Sequence, residues 1–319
     1  MHRIGIIGHG IMGRRVAEAM QDHPSFSVGM SYDPNPPTDI SNIELASDPA
    51  AIFSDSAIDC VYIASPPASH AKLIAMAAAA GKAIFCEKPL AANIADARTS
   101  VERVRSSGVA AAVNFPLACA PAATRLVEIV RGGALGVVHT ATLNLRFARW
   151  PRGWQADASG WLAGTAEGGF TREVAYHFLF LAGRLFGRGE LELASIERGA
   201  SGTETTVRCA VKYRDLTLKI DAAVAGDTED YNRFEITGHL GAAALTDWYR
   251  LETNGQMSER FPPLPYQLNA LARMLSGAHD HGSARRPASL RLFFTAATRA
   301  VVGLMNRIQP TAISRTLIF

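Results

Sequence analysis

The sequence predicts an α/β protein in which a doubly wound parallel sheet precedes an α+β domain built on a large, mostly antiparallel sheet. Two observations predict this class. Through about residue 115, short and nearly all-apolar strand-like runs alternate with amphipathic helical stretches, as in a parallel sheet covered on both faces. After Pro121, strand-like stretches dominate, and several alternate apolar with polar residues, as antiparallel strands do. We place the two domains at residues 1–118 and 119–319.

The elements of the first domain follow this alternation in chain order. Strands are assigned to short β-branched or apolar runs, and helices to stretches with apolar residues at helical spacing. A polar, proline-rich loop separates the second strand from the third. The predicted elements are strand Arg3–Ile7, helix Ile11–Gln21, strand Ser27–Tyr32, strand Cys60–Ala64, helix Ser69–Ala80, strand Ala83–Cys86, helix Ala95–Ser106 and strand Val109–Asn114.

The second domain opens with a helix that ends at Arg131, before Gly132-Gly133. One helix, Arg172–Leu185, interrupts the strands, and helices near Tyr266–Leu275 and Ser289–Arg307 close the chain. The predicted strands are Val137–Ala148, Glu192–Glu197, Thr205–Tyr213, Thr217–Val224, Phe234–Thr237 and Ala242–Trp248.

Composition restricts the class of protein further. The 319 residues are 48% hydrophobic and 19% charged, which is a globular composition. A formal charge of +3 is too small to favour nucleic acid or an anionic membrane as the main partner. Four separated cysteines without a Cys-x-x-Cys pair fit neither a zinc site nor a disulfide framework. A strand beginning at Arg3 leaves no room for a signal peptide, and no apolar run approaches the roughly 18–20 residues of a membrane span, so we expect a soluble, cytoplasmic protein.

A glycine-rich loop directly follows the first strand and opens the first helix. Its sequence, GHGIMG, is a G-x-G-x-x-G pattern. Gly8 permits a tight turn, Gly10 lets the backbone approach a pyrophosphate, and Gly13 lets the helix pack closely on the sheet. The amides of Ile11 and Met12 lie at the helix N-terminus, where they attract phosphate groups. The loop predicts a Rossmann-type dinucleotide site, and these five residues are candidate cofactor contacts.

An acidic residue stands where such a site needs one. Asp33 lies 20 positions after Gly13, at the end of the second strand. Its carboxylate can accept hydrogen bonds from the adenosine ribose and would repel a 2′-phosphate, which favours NAD over NADP. Arg14 or Arg15 could compensate for that repulsion, so NADP stays open.

Two proline-containing segments follow predicted parallel strands. Ser65-Pro66-Pro67 and Glu87-Lys88-Pro89 lie at the carboxyl ends of these strands, the edge where doubly wound sheets bind ligands. Proline keeps the preceding residue out of the helical region, which would hold Lys88 at this edge near the nicotinamide. A lysine there can donate a hydrogen bond to a carbonyl that gains hydride, or assist removal of an alcohol proton. The alternative is a surface lysine paired with Glu87.

At this point the sequence resembles a known family. The stretches GIIGHGIMGRR, IASPPASHAKLIAMAAAAGKAIFCEKPLA and RGGALGVVHTA are similar to the glucose–fructose oxidoreductase / inositol dehydrogenase / MocA (Gfo/Idh/MocA) family. The resemblance implies an NAD- or NADP-binding first domain and a second domain whose sheet often mediates oligomer formation, here a homodimer or homotetramer. It also implies that Lys88 is catalytic. By the same resemblance, the cofactor edge includes Ser65, Pro66, His70, Glu87, Lys88 and Asn114.

A second family signature resembles Gly-Gly followed by an Asp and, four residues later, a His. Here His177 matches, and Glu173 stands in place of the Asp. Residues four apart share a helix face, so the two side chains can point together into the cleft. His177 is suited to exchanging a proton with a substrate hydroxyl, and Glu173 could orient it. The alternative is a histidine with structural partners and a surface glutamate.

The sequence departs from the family pattern at two further places. Phe180 stands where many members have another acid, and NFPLACAP lacks their arginine and aromatic residue, although Asn114 matches a position that commonly faces the active site. These departures leave the substrate open. We count as substrate candidates Lys88, Asn114, Trp161, Arg172 and His177.

Two other segments were considered as ligand sites. RFARWPRGWQADASGW holds three tryptophans and three arginines, a composition suited to covering a sugar or sugar acid, or simply to packing on the sheet. His279-Asp280-His281 lacks a third ligand of suitable spacing, so we predict a solvated loop and no metal.

The sequence therefore predicts an NAD(P)-dependent oxidoreductase that acts on a sugar, polyol or sugar-acid-like alcohol or ketone. Two alternatives stay open. One is a regulator that senses NAD(P) or a sugar without turnover, and the other is an oxidoreductase acting on an imine or a non-sugar ring.

Overall fold

A computed structural model of the chain describes residues 1–36 and 43–279. The first sheet has six strands, all parallel, in the doubly wound order β3-β2-β1-β4-β5-β6. The order reverses between β1 and β4, and ligand crevices of such sheets lie at that point, outside the carboxyl ends of the strands. These strands are β1 (His2–Ile7), β2 (Phe26–Tyr32), β3 (Glu44–Leu45), β4 (Cys60–Ile63), β5 (Ala83–Glu87) and β6 (Ala111–Asn114).

Helices cover both faces of this sheet. The predicted strands and helices of this region are present, with ends that differ by one or two residues. The helices on this sheet are α1 (Ile11–Gln21), α2 (Pro49–Ser54), α3 (Pro67–Ala79) and α4 (Ile94–Ser107). Two further helices, α5 (Pro116–Cys119) and α6 (Pro121–Arg131), follow β6 and contribute to the core of the second sheet.

The sequence reading missed β3, α2 and α5. For α2 a local signal existed, because Asp48 accepts a hydrogen bond from the amide of Ala50 at 2.7 Å and Pro49 occupies the first turn. A helix of six residues is too short to show apolar periodicity.

The second sheet has eight strands in the order β14-β13-β12-β11-β7-β10-β9-β8. Neighbours are antiparallel except β7 and β10, which are parallel. The mostly antiparallel second sheet that the sequence predicts is thus confirmed. Its strands are β7 (Val138–Arg146), β8 (Glu190–Arg198), β9 (Glu204–Lys212), β10 (Thr217–Ala223), β11 (Tyr231–Gly238), β12 (Gly241–Thr246), β13 (Arg250–Thr253) and β14 (Gln256–Met257).

One face of the second sheet is buried under helices. The helices α6 and α8 (Tyr176–Phe186) contribute side chains to the core under this face. The other helices after α6 are α7 (Ser159–Leu162) and α9 (Leu264–His279). A 3₁₀ helix, Gly153–Ala158, precedes α7, and a π-helical turn, Thr171–Ala175, leads into α8. Fully buried side chains from both helices and the sheet form one core, among them Leu126, Leu143, Phe178, Leu218 and Phe234.

The helix α9 packs on the first sheet, although it lies in the predicted second domain. Leu268, Leu271 and Leu275 are at most 3% exposed and share a core with Ile4 and Ile6 of β1. The division at residue 118 stays a prediction. The predicted helix Ser289–Arg307 lies outside the described residues. No helix within the described ranges is long and apolar enough to cross a membrane.

Candidate functional site

The backbone geometry of the glycine loop agrees with the roles predicted for Gly8, Gly10 and Gly13. Gly8 has a φ of +98°, and a Cβ there would lie 2.5 Å from the backbone of Ala64 and Ser65. A Cβ on Gly13 would collide with the carbonyl oxygen of Gly8, so α1 packs directly against the loop. A Cβ on Gly10, by contrast, would meet no described atom within 4 Å. The open side of the loop therefore lies at Gly10.

The N-terminus of α1 is free to receive an anion. Ile11 begins the helix, Gly10 is its N-cap, and no side chain in the described ranges caps it. Ile11 and Met12 are partly buried in this first turn. Uncapped helix amides beside open space fit a pyrophosphate, which the loop sequence predicts.

Asp33 lies against the same loop. Its Oδ2 accepts from the amide of His9 at 2.6 Å, and its Oδ1 accepts from the amide of Asn35 at 2.9 Å. These bonds fix the carboxylate at the carboxyl end of β2, where it can still accept from a ribose diol. The residues present thus fit a dinucleotide.

The two arginines that could favour NADP already have contacts. Arg14 Nη2 lies 3.4 Å from Asp157 Oδ2, and the Arg15 guanidinium lies 5.8 Å from the ring centroid of Trp154. Both partners belong to the 3₁₀ helix Gly153–Ala158, which therefore touches α1. Both contacts would compete with a 2′-phosphate for these guanidinium groups.

His70 is buried between the two loops that follow β4 and β5. It is 0% exposed, with Nδ1 2.8 Å from the carbonyl oxygen of Pro89 and Nε2 2.7 Å from that of Ser65. Burial lowers the pKa of His70, and the two carbonyl contacts oppose that shift. Both ring nitrogens face backbone oxygens, so His70 joins the loops after β4 and β5. Its contact with the cofactor stays a prediction.

Ser65 and Pro66 lie at the start of α3, beside the crevice. Pro66 is the N-cap of that helix, and the hydroxyls of Ser65 and Ser69 are 2.5 Å apart. Glu167 Oε2 accepts from the amide of Ala68 at 2.6 Å, so the region after β7 closes against this turn. The edge is therefore bounded by both parts of the chain.

Lys88 forms a buried ion pair with Glu173. Its Nζ lies 2.6 Å from Oε2 of Glu173 and also donates to the backbone oxygen of Glu173 at 3.2 Å. The two side chains are only 9% and 14% exposed. The alternative of a surface lysine paired with Glu87 is thus wrong, since Lys88 is enclosed and pairs with Glu173.

Glu87 has a different set of partners. Its Oε1 accepts from Tyr62 Oη and from Asn114 Nδ2, each at 2.6 Å. Burial raises the pKa of Glu87, whereas these two hydrogen bonds and the charge of Lys88 lower it. Glu87 and Asn114 thus lie at the edge predicted from the sequence, where they contact each other.

His177 is buried beside this ion pair. It is 5% exposed, and its ring meets those of Phe115 and Trp248 edge-on, with centroids 6.0 Å and 5.5 Å away. Burial, and then the charges of Lys88 and Arg152, hold the pKa of His177 well below its usual value. The imidazole is therefore neutral near pH 7.

The expected contact between Glu173 and His177 is not formed. The carboxylate of Glu173 goes to Lys88, and Nδ1 of His177 has no hydrogen-bond partner in the described part of the chain. The reason is local. Thr171–Ala175 is a π-helical turn with i to i+5 bonding, so the α-helical rule that residues four apart share a face does not hold.

Arg172 does not reach the cleft as predicted for a substrate contact. It is 1% exposed, and Nη1 donates to the backbone oxygen of Ala166 at 2.8 Å. Burial lowers its pKa, and the carboxylates of Glu204, Glu167 and Glu173 oppose that shift. Arg172 is therefore a buried guanidinium held by the backbone of Ala166, and its Nε and Nη2 have no hydrogen-bond partner within the described residues.

Two aromatic rings of the described residues contact His177, those of Phe115 and Trp248. Trp161 stays a predicted substrate contact. Trp161 is half-buried in α7. Arg152, which acts on the pKa of His177, is 5% exposed and pairs with Asp230 at 2.5 Å. Local sequence offered no signal for these contacts, because Asp230 lies 78 residues from Arg152.

Phe180 is part of an apolar wall under the site. It is 1% exposed and stacks on Phe115 with centroids 4.4 Å apart and planes 5° apart. Tyr176 also stacks on Phe115, at 5.5 Å. An acid in place of Phe180 would be buried among rings, so the apolar residue fits this surrounding.

Within the described residues, no three His, Cys, Asp or Glu side chains form a metal-binding group. The triplet His279-Asp280-His281 lies outside the part of the chain whose side chains are described.

The parallel sheet, its glycine loop and the open N-terminus of α1 define the class of the first domain, a dinucleotide-binding Rossmann domain. Residues 2–115 match a family described as "Oxidoreductase family, NAD-binding Rossmann fold". Over these residues the chain matches the Gfo/Idh/MocA family.

Two curated relatives are similar to this chain over part of their length. A dTDP-3,4-didehydro-2,6-dideoxy-alpha-D-glucose 3-reductase of Streptomyces violaceoruber is 34% identical over 211 residues, 65% of this chain and 56% of the relative. D-apiose dehydrogenase of Paraburkholderia graminis is 26% identical over 234 residues, 70% of this chain and 61% of the relative. The matches thus span less than two thirds of these curated relatives.

A solved structure matches the fold over most of the chain. KijD10, a 3-ketoreductase from Actinomadura kijaniata in complex with NADP and TDP-benzene, has a TM-score of 0.78 at 17% identity, and the match covers 96% of each chain. At this identity the likeness establishes the fold and carries no residue role.

Proposed function

We propose that this chain is an NAD(P)-dependent oxidoreductase that transfers hydride between nicotinamide and a secondary alcohol or ketone of a sugar, polyol or sugar-acid-like substrate. One observation carries the proposal. The ammonium of Lys88 lies at the ligand edge of the parallel sheet and pairs at 2.6 Å with Glu173, on the turn that leads into the helix carrying the buried His177. The reductase and dehydrogenase names of the relatives support the reaction class.

The proposed roles follow from the charge of each group. A bound nicotinamide supplies or accepts the hydride. Lys88, paired with Glu173, donates a hydrogen bond to the substrate oxygen and stabilises negative charge there. His177, neutral because its pKa is depressed, accepts the proton of a substrate hydroxyl during oxidation and returns it during reduction. Glu173 holds Lys88 in place, so its support goes to the lysine and not to the histidine.

We propose NAD as the preferred cofactor. Asp33 is fixed beside the glycine loop, and both nearby arginines have contacts with the 3₁₀ helix. A 2′-phosphate would meet the carboxylate of Asp33, and Arg14 and Arg15 could offset that repulsion only in competition with their contacts to Asp157 and Trp154. NADP binding would require Arg14 or Arg15 to leave Asp157 or Trp154.

The variant Lys88→Met tests the assignment. NADH binding, followed by energy transfer from tryptophan, should persist, while turnover of sugars, polyols and sugar acids, followed at the nicotinamide absorbance band, should fall at least about a hundredfold. Lys72→Met, an exposed lysine of α3, is the matched control and should leave both unchanged. Unchanged turnover by Lys88→Met would show that the role is wrong.

A non-catalytic regulator that binds NAD(P) or a sugar is the second candidate. The apolar stack of Phe180 on Phe115, where relatives place an acid, favours it. Tight NADH binding without turnover in a panel widened to imines and non-sugar rings, together with binding to another protein, would support the regulator. Turnover of an imine or a non-sugar ring alone would instead support an oxidoreductase that acts on such substrates.

We also propose a homo-oligomer, a dimer or tetramer, formed through the second sheet. One face of that sheet is buried under α6 and α8, while Lys212 and Lys219 on the other face are exposed. Ion pairs also line that face, including Arg233 with Glu235 and Glu252, each at 2.6 Å. Light scattering on the purified chain should give a multiple of 34.1 kDa, and a monomer at micromolar concentration would contradict the proposal.

A further inference from the structure

A buried chain of hydrogen bonds, here called the Glu87 network, joins Tyr62, Glu87, Asn114 and Gln267. Tyr62 Oη and Asn114 Nδ2 donate to Oε1 of Glu87, each at 2.6 Å, and Gln267 Nε2 donates to Oδ1 of Asn114. All four residues are between 0% and 8% exposed. Gln267 lies on α9, 153 residues after Asn114, so the last described helix contacts the edge that holds Lys88.

The direction of these bonds is coupled to the charge of Glu87. An ionised carboxylate only accepts hydrogen bonds, so Asn114 must turn its amino group towards Glu87. The carbonyl oxygen of Asn114 then faces α9 in a buried place, where it needs a donor. Gln267 supplies that donor. Without it, Asn114 would be driven to turn its oxygen towards Glu87, which then requires a proton on Glu87.

The charge of Glu87 matters because Lys88 is its neighbour. Lys88 lowers the pKa of Glu87, whereas burial and the charge of Glu173 raise it. The ammonium pairs with Glu173 at 2.6 Å, and Glu87 directly precedes Lys88 at the end of β5. The other titratable groups beside Glu87 are Tyr62 on β4 and Cys86 on its own strand, whose pKa values are both raised by burial. Glu87 is thus the group behind Lys88 that can hold a negative charge while its two donors, Tyr62 and Asn114, are in place.

We propose that Gln267 is a positioning residue for the reaction at Lys88, because it fixes the amide of Asn114 so that Glu87 stays an ionised acceptor behind the lysine. The predicted effect of Gln267 on catalysis rests on the proposed function. Its predicted effect on the protonation of Glu87 does not. Through Gln267, α9 makes a contribution to the site that its place in the sequence does not indicate.

The test follows the protonation of single glutamates in the cofactor-free protein. Protein with ¹³C-labelled glutamate is titrated by NMR, and the Glu87 carboxyl resonance is assigned by its loss in Glu87→Gln. In Gln267→Leu the titration midpoint of Glu87 should rise by at least about one pH unit. In the isosteric Gln267→Glu, which offers an acceptor in place of the donor, either Glu87 or the new carboxyl should still hold a proton at pH 7.

The control adds the same charge to the same helix. Asn269→Asp places a carboxylate on the exposed side of α9 and should leave the Glu87 midpoint within about 0.3 pH units of wild type. If both Gln267 variants are folded by circular dichroism and keep the wild-type midpoint, the proposal is overturned. An equal shift in Asn269→Asp would also overturn it, because the effect would then be a general charge effect.

A kinetic arm separates positioning from packing. With a substrate found by the screen above, Gln267→Leu should lower kcat about tenfold and shift its pH profile, with the KM for NAD unchanged. A role in packing alone would lower stability without moving the pH profile. If the protein turns over no substrate, the titration still decides whether the Glu87 network exists, so failure of the proposed function is distinguishable.

Discussion

The ion pair between Lys88 and Glu173 allows a quantitative prediction of stability. The charged atoms are 2.6 Å apart, and the side chains are 9% and 14% exposed, so water screens the pair weakly. Removing one partner of a buried pair leaves an uncompensated charge and costs about 3–5 kcal/mol. Glutamine keeps an oxygen that can accept from Nζ, so we expect Glu173→Gln to lower the free energy of unfolding by about 3 kcal/mol.

The matched control is an exposed ion pair. Arg125 and Glu128 lie 3.0 Å apart on α6, but their side chains are 65% and 57% exposed. Exposed pairs at this spacing contribute about 0.3–0.5 kcal/mol, so Glu128→Gln should have an effect no larger than that. The two variants change the same functional group at sites that differ in burial.

Urea unfolding followed by tryptophan fluorescence measures both effects. A double-mutant cycle with Lys88→Met should recover about 1–3 kcal/mol, because removing both charges leaves no unpaired ion. Additive losses in the double variant, or equal losses in Glu173→Gln and Glu128→Gln, would refute the buried pair.

Three further predictions follow from the site. Burial holds the pKa of His177 below its usual value, so stability is fully present above about pH 6.5 and falls by up to about 1.4 kcal/mol per pH unit below it. In His177→Gln the decline between pH 6.5 and 5 should flatten in urea titrations, and an unchanged slope would contradict this. Gly13→Ala should lower the melting temperature because its Cβ meets the Gly8 carbonyl oxygen, whereas Gly10→Ala should fold normally and bind NADH at least about tenfold more weakly. Equal melting temperatures would contradict that contrast. Asp33→Ala should reduce the preference for NADH over NADPH in fluorescence titrations by about tenfold, and an unaltered ratio would argue against the ribose contact.

Much of the first domain could be predicted because its signals are local. The loop from Gly8 to Gly13 needs glycine for reasons of backbone geometry, and each reason concerns atoms a few residues away or on the adjacent strand. The acid at Asp33 follows from the length of one β-α-β unit. The short helix Pro49–Ser54 was missed even though Asp48 caps it, because six residues carry too little periodicity.

The sequence by itself determined the alternation of strands and helices, the glycine loop and the candidate roles of Lys88 and His177, since these depend on residue type and short spacing. Only the tertiary structure decided which charges meet. Lys88 pairs with Glu173, which lies 85 residues later in the chain, and Asn114 accepts a hydrogen bond from Gln267, which lies 153 residues later. The physical reason is that a buried polar group is stabilised by whichever complementary partner the packing of distant elements brings within reach, and no local pattern encodes that choice.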